Sequence, residues 1–404
     1  MPFEIRAIDA SEVDDLIRAN ARGFGSAPPS PDVPRSWTES ELDRTRVAFE
    51  DREIVGSARA YSFELTVPGG ELVPAAAVSG VAVLPTHRRR GILTRLVATL
   101  HADARERGEP AAMLMASEGA IYGRFGYGVA TWRLGVEADR ARAAFRDVPG
   151  EGRIRLLDRE EAERLLPPLY DRLRQQRAGM VSRPDSWWRQ AYFGRARPEQ
   201  AIFHVVHEDR AGVADGFAGY EITGDWTDGL PDRRLRVFDL QAATPSVRAA
   251  LWRYVFGIDL VATVGGDNLP IDDPLRHLVA DARRVRVRFV NDGLWLAPLD
   301  PVTLLAARRY APWEARVVVE VHAPDGEVTR VAVEGDDRDA TCTGTGDEPD
   351  LVCSTATLGA AALGGNRWSE LAQAGLVDAR DQRTLAIADT MFASTPVAAT
   401  TSWF

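Results

Sequence analysis

The sequence predicts a layered α/β protein built from about three units in tandem. Three observations carry this. Its 404 residues correspond to two or three domains at roughly 150 residues each. Strand-like and helix-like apolar patterns alternate through residue 265, as they do where helices cover a sheet. The order strand, strand, helix, strand occurs twice, which reads as a structural duplication.

The elements run in order from the N-terminus. Ser11 precedes EVDDLIRANARGF, and Asp14 lies three residues on, the spacing of a capping box, so a helix is expected there. APPSPDVPR (27–35) holds four prolines and reads as a loop. Residues 41–50 return to helix or extended structure. REIVGSARAYSFELTV (52–67) gives one or two strands, PGG (68–70) a turn, and PAAAVSGVAV (74–83) a further strand. Ile92, Leu93, Leu96, Val97 and Leu100 fall at helical spacing, so a helix runs to about Gly108. AAMLMAS (111–117) is a buried strand. The second unit starts near residue 150. It reads as a helix over 154–177, strands at 201–209, 216–225 and 233–243, and a helix over 244–257 with Thr244 as N-cap and Pro245 at its first position. A strand at 258–265 comes next. The third unit, from about residue 300, reads as a helix, two strands around an APDGE hairpin, and a short strand at LVCSTA. A small-residue helix at TLGAAALGG, a polar helix and a last stretch TPVAATTSWF complete it.

Composition narrows the chemistry. All 49 basic residues are arginine. The lack of lysine excludes a Schiff-base lysine, a P-loop lysine and a lysine general base. With 59 acidic residues the net charge is -10, which argues against nucleic acid as a partner. No run approaches the ~20 apolar residues of a membrane-spanning helix. The first 20 residues lack the apolar core of a signal peptide. The expected setting is the cytoplasm, without a membrane partner. Two cysteines, Cys342 and Cys353, build neither a disulfide framework nor a structural zinc site. His204 and His207 stand three apart on an expected strand and point to opposite faces. No metal is expected.

The segment that carries chemistry is Val81-Ala82-Val83-Leu84-Pro85-Thr86-His87-Arg88-Arg89-Arg90-Gly91-Ile92-Leu93. A strand runs into a loop, and the loop opens a helix. The first N–H groups of a helix lack internal partners and lie at the positive end of its dipole, where a pyrophosphate can be cradled. Arg88, Arg89 and Arg90 add charge-assisted contacts, and Gly91 permits close backbone approach. Neither the dinucleotide G-x-G-x-x-G nor a P-loop is present. On its own, the segment also reads as a solvated basic loop.

R-x-x-G-x-[GA] after a V-x-V strand is the acetyl-CoA signature of the GCN5-related N-acetyltransferases, and Arg88-Arg89-Arg90-Gly91-Ile92-Leu93 resembles it with Leu93 at the last small position. VAVLPTHRRRGILTRLV together with MASEGAIYGRFGYGVAT (115–131) resembles the Eis (enhanced intracellular survival) subfamily more specifically. The resemblance implies two tandem acetyltransferase-like mixed-sheet domains, catalytic over 1–135 and degenerate over 136–297. A sterol-carrier-protein-like α/β domain over 298–404 would come last, and six copies would assemble as a homo-hexamer. It implies acetyl-CoA as cosubstrate, its pantetheine arm on the backbone of Val81, Ala82 and Val83 and its pyrophosphate over Arg88 to Leu93, with Ser117 nearby. Tyr122 would be the general acid toward the leaving thiolate, with Tyr127 its rival. The α-carboxylate of Phe404 would be the general base, and burial of Trp403 and Phe404 would draw it inward. A free α-carboxyl has a pKa of ~3.3–3.7 and is ionised at neutral pH. The implied acceptor is a primary amine, of an aminoglycoside, another polyamine or a protein lysine, against Phe24, Trp37 and Trp403. Ser26 and Trp403 stand where aminoglycoside-active members carry acids, which implies weaker cation recognition here. Two alternatives stay open: a non-catalytic CoA- or lipid-binding module, and an acyltransferase using longer acyl-CoA.

Overall fold

The computed structural model describes residues 3–27, 41–146, 151–195, 200–313 and 315–404. The expected proline loop, but for its first residue, and Trp37 lie outside the described residues. The first sheet draws on β1 (Glu4–Ala7), β2 (Thr45–Glu50), β3 (Glu53–Thr66), β4 (Leu72–Val83), β5 (Ala111–Met115), β6 (Gly128–Val129) and β16 (Leu294–Pro298), in the order β1-β2-β3-β4-β5-β16-β6. Helices α1 (Val13–Gly23) and α2 (Ile92–Glu106) cover it. Residues Ile92, Leu96, Val97 and Leu100 of α2 are all buried, as the helical spacing required. At the entry to α1, the Glu12 carboxylate accepts the Asp9 backbone N–H at 3.0 Å. The expected Ser11–Asp14 box is therefore displaced by two residues, because one 3₁₀ turn precedes the helix.

The second sheet repeats the plan. Its strands are β7 (Trp132–Asp139), β8 (Arg153–Leu157), β9 (Ala201–Glu208), β10 (Ala214–Thr223), β13 (Arg234–Ala242), β14 (Thr263–Pro270) and β15 (Val285–Asp292), in the order β15-β7-β14-β13-β10-β9-β8. A separate hairpin pairs β11 (Trp226–Thr227) with β12 (Leu230–Pro231). Helices α3 (Arg159–Arg174) and α4 (Pro245–Gly257) pack against this sheet. Residues 154–157, expected in a helix, pair with β9 instead. The helix starts after Asp158, whose side chain accepts the Glu161 N–H at 2.8 Å. The strand expected over 258–265 begins only at Thr263. A division at residue 135 falls within β7, and β16, expected in the second unit, completes the first sheet.

The third unit starts with α5 (Pro301–Ala306) and carries β17 (Ala315–His322), β18 (Val328–Gly335), β19 (Ala340–Gly344), β20 (Leu351–Ser354) and β21 (Val377–Ala379), ordered β19-β18-β17-β20-β21. β17 and β18 meet at the APDGE turn, where Gly326 has φ 93°. Helices α6 (Thr355–Ala361) and α7 (Gln382–Phe392), with a short helix over Trp368–Gln373 between them, complete it. One apolar cluster joins all three units, with Leu65 and Met113, Tyr170 and Trp188, and Leu363 and Ala398 among its members. No helix among the described residues is long and apolar enough to cross a membrane.

The end of α2 is tied to the far edge of its sheet by a buried ion pair. The guanidinium of Arg44, 1% exposed, donates to both Glu109 carboxylate oxygens at 2.7 and 2.6 Å. Replacing Glu109 with alanine removes the two-point partner and leaves Arg44 with Asp103, 3.6 Å from its Nε. We expect a loss of about 3 kcal/mol, the low end for a broken buried pair, read as a lower urea midpoint.

Candidate active site

β4 and β5 run parallel through four pairs, Ala75↔Ala111 to Val78↔Leu114, and then part. Beyond that point β4 stays paired with β3, but through a bulge: Arg59 faces Ser79 and Ser57 faces Ala82, so Gly80 and Val81 together oppose Ala58. Gly80 takes φ 59° to make the bend. The Leu84 N–H bonds Val55 O at 2.9 Å on the β3 side. Alternation along the strand therefore turns the N–H of Val83 toward the gap. A gap of this kind offers backbone donors to a guest that lies where the next strand would pair.

The gap leads to the start of α2. Gly91 is its N-cap with φ 81°, and a Cβ there would meet nothing within 4 Å. No side chain caps this end, so the N–H groups of Ile92, Leu93 and Thr94 have no intrahelical partner. The loop before it is pinned from one side. Glu50 accepts from Arg90 at 2.9 and 2.5 Å and bonds His87 Nε2 at 2.8 Å. The Arg90 guanidinium holds the Glu50 carboxyl down at about 2, so the pin is charged across the neutral range. Arg88 and Arg89 are exposed and have no carboxylate partner among the described residues. Arg89 takes φ 61°.

A cavity of about 1040 Å³ brings together Phe24, Val81, Ala82, Val83, Arg88, Arg89, Gly91, Ile92, Leu93, Ser117, Tyr122, Trp403 and Phe404. Arg90 is not among its lining residues; the Glu50 pair claims its side chain. Ile92, 1% exposed, and Ala82, 8% exposed, turn their side chains into the core, so what they offer the cavity is backbone. Sequence reasoning missed Arg22, Glu118 and Arg124, which also line it. Each sits near an expected site segment, and only the fold brings them to one cavity.

The two tyrosines are separated by their surroundings. Tyr127 is 1% exposed, and its hydroxyl bonds His101 Nε2 at 2.9 Å. Burial holds His101 down at about 4 and pushes Tyr127 far up, so this pair stays neutral and structural. Tyr122 lines the cavity, edge-on to Tyr127 with centroids 6.0 Å apart. Burial, and then the nearby Glu118 charge, raise its pKa. Its phenol is therefore a hydrogen-bond donor through the whole working pH range.

The last two residues of the chain line the same cavity. The Phe404 ring packs edge-on against Phe63, centroids 5.3 Å apart. Trp403 is 45% exposed and lies against the Arg133 guanidinium, 4.8 Å from its ring. Burial of Trp403 is thus not what draws the chain inward. Polar anchors do so: Arg177 donates to Val397 O at 2.6 Å, Arg183 to Ser402 Oγ at 2.9 Å and Thr401 Oγ1 at 3.0 Å, and Trp187 to Trp403 O at 2.5 Å.

Parallel strands that part over a bulge, ahead of an uncapped, glycine-led helix start flanked by unpaired arginines, define an acyl-CoA-dependent acyltransferase fold. Comparison with known proteins agrees. Acetyltransferase (GNAT) domain models match residues 4–130 and 179–297, and a sterol carrier protein domain model matches 302–399. N-acetyltransferase Eis of Mycobacterium tuberculosis is 37% identical over 85% of this chain and 84% of that protein. An uncharacterized N-acetyltransferase of Streptomyces griseus is 35% identical over 97% of each chain. The crystal structure of Eis1 from Mycobacterium abscessus superposes with a TM-score of 0.87 at 34% identity, over the whole of both chains. The chain belongs to the Eis-type N-acetyltransferases of the GNAT family.

The Gly91 geometry gives a direct test. Alanine there must hold a left-handed φ and carries a methyl group on the open side of the seat, at roughly 1–2 kcal/mol for the backbone alone. We expect Gly91→Ala to weaken acetyl-CoA binding about tenfold in a calorimetric titration, and the backbone strain to lower the melting temperature by a few degrees.

Proposed function

We propose that the protein transfers the acetyl group of acetyl-CoA directly to a primary amine bound between Phe24, Trp403 and Phe404. The observation that carries this reading is that the pyrophosphate seat, Tyr122 and Phe404 line one cavity. The thioester supplies the activated acetyl group. Arg88, Arg89 and the first N–H groups of α2 bind the phosphates, and the freed backbone of Val81 to Val83 holds the pantetheine arm and polarises the thioester carbonyl. Ser117, at the end of β5, lies along the same path.

The amine enters as an ammonium and must lose a proton before its lone pair can attack. The α-carboxylate of Phe404 accepts that proton and relays it to solvent. The C–N bond forms, the C–S bond breaks, the nitrogen gives up its second proton, and that proton reaches the departing CoA thiolate by way of solvent, so an amide and a CoA thiol result. Tyr122 donates its hydroxyl hydrogen bond to the sulfur as negative charge develops there. A phenol reference of ~10 against a thiol reference of ~8.5 makes full proton transfer uphill. The raised pKa of Tyr122 adds to that, so stabilisation of the thiolate is its main contribution.

Glu118 and the Phe404 carboxylate are the acidic groups on this wall among the described residues, against Arg22, Arg88, Arg89 and Arg124. That balance favours an acceptor with few positive charges over a heavily charged aminoglycoside, and a polyamine no longer than a diamine or a lysine side chain fits it. The cytoplasm and a homo-hexamer are the setting the family resemblance implies. Val287 and Val290, 43% and 52% exposed on edge strand β15, support self-association.

Two variants test the assignment. Tyr122→Phe should lower kcat by about 10²–10³-fold while the affinity for acetyl-CoA holds. Adding a few residues after Phe404, or deleting it, should abolish transfer while acetyl-CoA still binds. Unchanged turnover in the extended chain would remove the carboxylate from the mechanism.

A further inference from the structure

The second sheet repeats the geometry of the first cleft. β13 and β14 run parallel through four pairs, Arg234↔Thr263 to Val237↔Gly266, and then part. Here too a bulge comes at once: Tyr220 faces Val237 and Gly219 faces Asp239, leaving Phe238 as the extra residue. Past the bulge the two clefts differ. The helix after β13 begins with Pro245, which has no N–H, and Thr244 Oγ1 accepts the Val247 N–H at 3.3 Å. Of the three N–H groups left open at the start of α2, the matching set here loses one to proline and one to the cap, and only that of Ser246 remains for a phosphate. Only about 170 Å³ of open space is left, against about 1040 Å³ in the first cleft.

The space is taken by one cation and the end of the chain. Arg183, with its side chain 0% exposed, pairs with Asp239 at 2.6 Å. Asp239 stands just past the bulge. The remaining guanidinium N–H groups reach Ser402 Oγ and Thr401 Oγ1. Gln241, bonded to Asp239 Oδ1 at 2.6 Å, also donates to Thr401 Oγ1, at 3.0 Å. Tyr170, its ring 3.7 Å from the Arg183 guanidinium carbon, bonds Ser402 Oγ at 3.2 Å. Two residues beyond Ser402 lies Phe404, in the other cleft.

We propose that the second cleft has become a seat for the C-terminal segment, and that Arg183 and Asp239 are positioning residues that aim the Phe404 carboxylate at the acetyl-transfer site. The inference rests on the proposed role of that carboxylate as the general base. Each domain thus supplies one half of the reaction: the first cleft holds the acyl donor, and the second holds the base in place.

Substituting Arg183 or Asp239 alone strands a buried charge and endangers folding. The cleaner variant is T401V/S402A, which keeps the ion pair and removes the tail's side of the seat. Two readouts are taken, besides the melting temperature and acetyl-CoA affinity. One is the rate at which carboxypeptidase releases Phe404, normalised to the rate on the urea-unfolded chain. The other is kcat for acetylation of a primary amine. We expect release to rise at least tenfold and kcat to fall at least tenfold, with acetyl-CoA affinity unchanged. An unchanged release rate overturns the seat. Faster release with unchanged kcat leaves a seat without catalytic purpose, and places the failure in the role given to Phe404.

Discussion

A single buried charge organises the relation between the parts. The Arg183 guanidinium is removed from water, and a bare cation there would cost several kcal/mol. Burial opposes its charge, but Asp239 beside it keeps the group firmly protonated. Every direction of the guanidinium is answered: a carboxylate, two hydroxyls of the tail, and the faces of Tyr170 and Trp187. These partners come from segments 13 residues before it to 219 residues after it. The charge is stable only when the second sheet and the end of the third unit are both in place. The position of Phe404 at the active cavity is therefore a property of the whole chain.

The two acetyltransferase domains show how one backbone device serves two ends. In each, a short parallel pair parts over a β-bulge and exposes unpaired backbone. In the first, the next loop ends in Gly91 and leaves the helix start open, so the gap continues to a row of free N–H groups. In the second, proline and a threonine cap leave one open N–H at the helix start, and an arginine–aspartate pair fills the gap. The difference lies in a few residues per domain.

Much of this was legible in the sequence because it is local. The strand–loop–helix segment from Val81 to Leu93 carries its own signals, and a family resemblance added Tyr122 and Phe404. The structure gathers nearly all of those residues on one cavity. Arg90 departs because Glu50, 40 residues upstream, captures it. Residues 154–157 look helical by Leu156 and Leu157 leading into the leucines that follow, yet they pair with β9. The reason expected for the inward path of the tail was also local, the apolar pair Trp403–Phe404. The actual anchors are Arg177 and Arg183, whose contacts span 218 to 220 residues, and no spacing rule relates them to the tail. Glu118 was passed over because a lone acid in a loop carries no pattern until Tyr122 is seen beside it. The absence of lysine gains a consequence from the assigned activity: the chain offers no side-chain amine to its own active site.

The central claim is that one cavity binds acetyl-CoA and passes its acetyl group to an amine. The most direct measurement is release of free CoA thiol from acetyl-CoA across a panel of aminoglycosides, short polyamines and lysine peptides, with the acetylated product identified by mass. The account predicts amine-dependent release, one N-acetyl group formed for each thiol, strongest with small or singly charged amines. Binding of acetyl-CoA with no thiol release above hydrolysis for any amine would contradict it.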